Sequence, residues 1–186
     1  MNETLQNLIK NYHSGLLLTP NIQVIGKKFS NETIHLPTGR WINHSFYFAT
    51  FRNSDLIHMK FIHLSLDSTY FGKCLVENCL FEDCSFGNAV FEKCVFKNCR
   101  FIRGHITAST VMETIFDECT FSNTDLDNCI FESCHFLKSI FEKVCFGSAV
   151  VIDTKFSNSR KSIEFKEDLF FSDIFDQINQ LRIDEE

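Results

Sequence analysis

Proline and glycine are scarce in this chain, two and seven among 186 residues, and tryptophan occurs once beside 22 phenylalanines. An ordinary mixed core would not need such bias. There is no Gly-rich phosphate loop, no H-E-x-x-H and no G-x-S-x-G, so no recognisable nucleophile, base or metal pair is offered and no enzyme is expected. His105 and His135 stand too isolated to suggest a relay or a metal site, and His58 and His63, on adjacent corners, are equally uninformative. No apolar signal segment follows Met1, the nine cysteines are odd in number, and no two form a C-x-x-C pair. These absences lead us to expect a reducing cytoplasm, neither disulfides nor a membrane anchor, and no cofactor. Positive charge is also in deficit. The formal net charge is -6, divided as +2 over residues 1–40, -3 over 41–160 and -5 over 161–186, which argues against direct nucleic-acid binding.

What the chain has instead is a period of five. From Trp41 through Phe46, Phe51, Leu56 and Phe61 to Val151 and Phe156, every fifth residue is large and apolar, and the register never slips over 24 such centres. Two residues before most centres sits a small one: Cys74, Cys79, Cys84, Cys94 and Cys99, for example, or Ala49, Gly104, Thr114 and Ser139. Five fits neither the 3.6 of a helix nor the 2 of a strand. It fits a chain that turns a corner every five residues and points one large and one small side chain inward each time. Four corners close one coil, so every fourth centre stacks on the last, as in Phe61, Phe81, Phe101, Phe121 and Phe141. Six coils at about 4.8 Å each give a rod of about 25–30 Å. Cysteines on the small position read as buried thiols. Cys79, Cys99 and Cys119 would form a column of parallel ligands, whereas zinc wants converging ones. Cys145, one residue before a centre, is the exception.

This pattern resembles the pentapeptide-repeat family, whose members are right-handed quadrilateral β-helices with Leu or Phe at each centre and a small residue two before it. The resemblance implies an all-β solenoid of about six coils over residues 41–160, a non-enzymatic role and a protein partner. It is more distantly similar to the quinolone-resistance members that protect DNA gyrase by imitating DNA. The chain departs from the family's usual Asp or Asn just before the centre, carrying Leu75, Val90, Val95 and Ile115 there, among others. It also has no inserted loop between Trp41 and Phe156.

Two surfaces are therefore candidates for function. The apolar residues before the centres fall into near-columns, Tyr70, Val90, Ile130 and Val150 beside Leu75, Val95 and Ile115, and an exposed apolar patch suits a protein partner. Glu92, Glu113, Asp117, Glu118, Glu132 and Asp153 form a dilute acidic surface, the feature that a DNA mimic binding a type II topoisomerase would use. The preferred reading is a protein-binding scaffold, with the mimic, conferring resistance or self-immunity, as the alternative.

Outside the rod, residues 1–40 read as a helix and cap. Asn2 can cap the helix, Leu5, Leu8, Ile9 and Tyr12 share one face and Gly15 can end it. Val24, Phe29 and Ile34 recur at five in a frame offset by two, which suggests an atypical first coil. Residues 161–186 read as a second helix and an acidic tail, with Phe171, Ile174, Phe175, Ile178 and Leu181 on one face. Such a face can serve as a lid on the last coil, and the resemblance implies the alternative that it joins two rods into a homodimer.

Overall fold

The computed structural model describes residues 46–162 together with the short strands at 28–30, 33–35 and 40–42; side chains are described over 46–160. Both expected terminal helices, and with them Phe171, Ile174, Phe175, Ile178 and Leu181, lie outside the described residues.

The fold is an all-β parallel solenoid of about six turns. Strands of only three residues are arranged in three parallel sheets of seven strands each. The first sheet runs through Thr50–Arg52, Tyr70–Gly72, Val90–Glu92, Thr110–Met112, Ile130–Glu132 and Val150–Ile152. The second runs through Asp55–Ile57, Leu75–Glu77, Val95–Lys97, Ile115–Asp117, His135–Leu137 and Lys155–Ser157. The third contains Lys60–Ile62, Leu80–Glu82, Arg100–Ile102, Thr120–Ser122, Ile140–Glu142 and Arg160–Ser162. A fourth column has only isolated bridges, Ser65 to Ser85 to His105 to Asp125 to Cys145. There the chain folds back in tight turns, with the amides of Ala49 and Ala89 donating to the carbonyls of Phe46 and Phe86 at 2.8 and 3.1 Å. A backbone closing such a turn cannot also extend a ladder.

Partners within each sheet stand four pentads apart in sequence, as with Phe91 on Phe71 and Phe101 on Phe81. The first coil differs. Phe29 pairs with Phe51 and Ile34 with Leu56, each two positions more than the regular step, while Trp41 pairs with Phe61 at the regular step. The frame offset is thus taken up between Ile34 and Trp41, and the chain still completes a paired coil.

Every centre from Phe46 to Phe156 is buried, Val151 partly. The Phe61, Phe81, Phe101, Phe121 and Phe141 rings stack at 4.9, 5.0, 4.8 and 5.2 Å between centroids, with planes within 10° of parallel. Phe96, Phe116, Phe136 and Phe156 form a second stack at 5.0, 4.7 and 4.8 Å. Strand spacing sets these distances, and rings meeting across the interior do so edge-on or tilted, as Phe116 does with Phe121 at 5.6 Å.

The corners carry the conformational cost. Among the described residues, twenty-two non-glycine residues have φ between 47° and 57°, and each stands two positions after a centre. Left-handed backbone is unfavourable for most side chains and least so for Asn. Seven of the 22 are Asn, including Asn78, Asn98 and Asn123, a signal the sequence contained.

The position two before the centre does more than save space. Ser139 donates its hydroxyl to the carbonyl of Phe116 at 3.0 Å and accepts from the amide of Cys119 at 3.3 Å. The same bridge recurs along the rod: Cys99 donates to Val76, Thr124 to Phe101 and Ser159 to Phe136, always 23 residues back. A small side chain with a heteroatom thus satisfies buried backbone groups of the preceding coil. Met59, Leu64 and Val144 fill this position by bulk instead and are also buried. Replacing Ser139 by Ala should cost about 1–3 kcal/mol, since it leaves a buried carbonyl and a buried amide without that partner. Replacing it by Cys should cost less, and urea denaturation of both variants measures the difference.

Candidate functional site: the outward rows

The outward rows follow from the corners. Residues one before and one after each centre project from the sheets, and the left-handed residue two after it marks the edge. On the first sheet the row before the centres places Tyr70, Val90, Thr110, Ile130 and Val150 in register. On the second, Leu75, Val95 and Ile115 stand in register, followed by His135. Both expected apolar columns are therefore brought together, the first interrupted by Thr110. Their members differ in exposure: Tyr70, Leu75, Val90 and Val95 are half-buried, while Ile115, Ile130 and Val150 are exposed. Ile152, next to Val150 in the row after the centres, is 44% exposed and was not among the expected residues. It falls on the opposite side of its centre, where the sequence offers mostly charge.

Tyr70 is held rather than free. Its hydroxyl donates to Glu92 at 2.6 Å and the Arg52 guanidinium lies 4.9 Å over its ring. That hydrogen bond holds the Glu92 carboxyl below its ordinary range, while burial and the carboxylate push the Tyr70 phenol up.

The acidic residues do not form one continuous ladder. Lys93 lies 3.4 Å from Glu113 and 3.9 Å from Glu92, and Lys138 lies 3.3 Å from Glu118. Half of the six candidates are thus answered by a lysine, two of them from an adjacent coil. Asp117 has one buried carboxylate oxygen, Oδ1, without a hydrogen-bond partner. Glu132 and Asp153 are exposed toward the C-terminal coils. Elsewhere Arg103 bonds both Glu82 and Asp83, at 2.6 and 2.8 Å, and is held in its charged form by them.

The histidines do not converge. His63 lies 3.6 Å from Asp83, His105 3.9 Å from Asp125, and His135 pairs with the Ser157 hydroxyl at 2.9 Å. Among the described residues no group of three His, Cys, Asp or Glu could hold a metal ion. Eight cysteines are buried and Cys145 is exposed.

The family model described as pentapeptide repeats matches residues 114–150 in eight copies, the same five-residue units that form the coils. Residues 114–150 thus carry pentapeptide repeats within a parallel β-solenoid. Its interior is filled by stacked side chains. The chain is similar in structure to QnrB1, a plasmid-mediated fluoroquinolone resistance protein. For one trypsin-treated variant of QnrB1 the identity is 15% and the TM-score 0.40, over 74% of this chain and 72% of that one. For full-length QnrB1 the values are 12% and 0.29, over 87% and 99%. HetL, a pentapeptide-repeat protein involved in heterocyst differentiation regulation in the cyanobacterium Nostoc, is similar at 11% identity and a TM-score of 0.24, over 82% and 94%. No curated protein sequence matches the chain.

Proposed function

We propose that this solenoid is a protein-binding scaffold acting from the cytoplasm, and that it takes its partner on the C-terminal part of the first sheet. The observation that carries this is the cluster of Ile130, Val150 and Ile152, which are 40, 49 and 44% exposed. Ile130 pairs directly with Val150 across two coils, and Ile152 lies two residues along the same strand, opposite Glu132. Burial of such a surface stabilises a complex without being screened by salt.

The second reading is a DNA mimic that binds a type II topoisomerase. Family likeness speaks for it more directly than for any particular scaffold partner, because gyrase-protecting members share this repeat. Charge speaks for the first reading, since lysines answer Glu92, Glu113 and Glu118. Both readings meet on the first sheet, where Glu132 and Asp153 flank the apolar cluster.

A pull-down from the native host, paired with a supercoiling assay on purified gyrase, separates them. The scaffold reading expects capture that survives a rise from about 50 to about 200 mM salt and fails for Ile130→Lys with Val150→Lys. Potent inhibition of supercoiling that fades over that salt range and is lost when Glu92, Glu113 and Glu132 become Gln would overturn it in favour of the mimic.

A further inference from the structure

The second sheet carries a charge pattern with a symmetry of its own. Its outward charges, coil by coil from the N-terminal side, are Asp55, Glu77, Lys97, the pair Asp117 and Glu118, Lys138, and Lys155. Numbered from the strand Asp55–Ile57, these six strands set Asp55 against Lys155 and Lys97 against Asp117 within the same rows when the order is reversed, while Glu77, in the row after the centres, and Lys138, at a corner, are opposite in sign but one row apart. At the middle of the pattern lie Val95 and Ile115, paired in register and apolar.

We propose that this face binds a second copy of the same face, side by side and antiparallel, about a two-fold axis that runs along the strand direction between Val95 and Ile115. Such an axis keeps each outward row opposite itself and reverses the coil order. Val95 then meets the second copy's Ile115, Lys97 meets the second copy's Asp117, and Asp55 meets the second copy's Lys155. Each contact occurs twice. An apolar centre is ringed by charge pairs, the arrangement of a specific interface. Asp117, in the row after the centres, then faces a lysine of the second copy. The third sheet offers no such match, because the same operation sets Lys60 against Arg160 and Glu82 against Glu142.

A face of six coils at about 4.8 Å each is narrow beside a standard interface, so the dimer should be weak and concentration-dependent. Sedimentation equilibrium of the full chain at low salt should show the mass rising from 21.6 kDa toward twice that value. Ile115→Lys should leave a monomer with unchanged circular dichroism. Asp55→Lys and Lys155→Asp should each raise the dissociation constant about tenfold, as two repulsive pairs replace two attractive ones. Their combination in one chain should restore the dimer. Asp55 and Lys155 are five coils apart within a chain, so rescue can only act between copies. A monomer at every concentration, a dimer indifferent to Ile115→Lys, or a double variant no better than the single ones would overturn the proposal. So would a dimer lost only on Phe175→Glu, an outcome that assigns dimerisation to the C-terminal segment.

Discussion

Replacing Phe101 by alanine should lower stability by about 3–5 kcal/mol, while replacing Lys97 should change it by no more than about 0.5 kcal/mol. Phe101 is 2% exposed and stacks between Phe81 and Phe121 at 5.0 and 4.8 Å. It also touches Phe86 and Phe96 across the interior, at 6.3 and 5.8 Å. Truncation removes ring contacts on every side. The surrounding coils cannot close over the gap, since the strand ladder fixes their spacing. Lys97 is exposed, and its nearest carboxylate, on Glu77, is 3.9 Å away, so little is lost with it. Urea melts of the two variants measure this directly, and similar losses would mean that the inward register is wrong.

The second large effect is on the thiols. Native protein at neutral pH should react with a thiol reagent at one cysteine of nine, and unfolded protein at all nine. Eight cysteines are buried and only Cys145 is exposed. Burial also pushes the Cys84 and Cys129 thiols up to about 12, which leaves them protonated and unreactive in the folded state. The same shift makes stability depend on alkaline pH. A thiol raised in the folded state contributes stability that is fully present below its unfolded pKa near 9 and is lost as pH rises through about 12. Stability should therefore fall over that window, with several thiols contributing together. Mass spectrometry after brief alkylation gives the count, and modification of several cysteines in the native state would refute the buried assignment.

Sequence alone determined the inward register. Period five requires only that each side chain either fits the interior or does not, and burial of the centres from Phe46 onward, Val151 partly, follows from that test. It likewise determined the stacked columns, because a coil of fixed length places Phe101 over Phe81 whatever their neighbours are. Tertiary structure decided what depends on reach between coils. Ser139, Cys99 and Thr124 could be read as small, yet that they bridge backbone groups 23 residues away depends on where the stacked coils bring a carbonyl. Glu113 and Glu118 could be read as acidic, yet lysines a full coil away in sequence answer them only because the winding brings Lys93 and Lys138 within 3.4 and 3.3 Å. The frame offset between Ile34 and Trp41 was legible in the sequence, whereas tertiary structure decided that the strands before it still pair with the next coil, at a step two positions longer. A repeat fixes what each residue faces within its own coil. The backbone group it reaches in the preceding coil, 23 rather than 20 residues away, is set by how the stacked coils sit on one another, which no local pattern encodes.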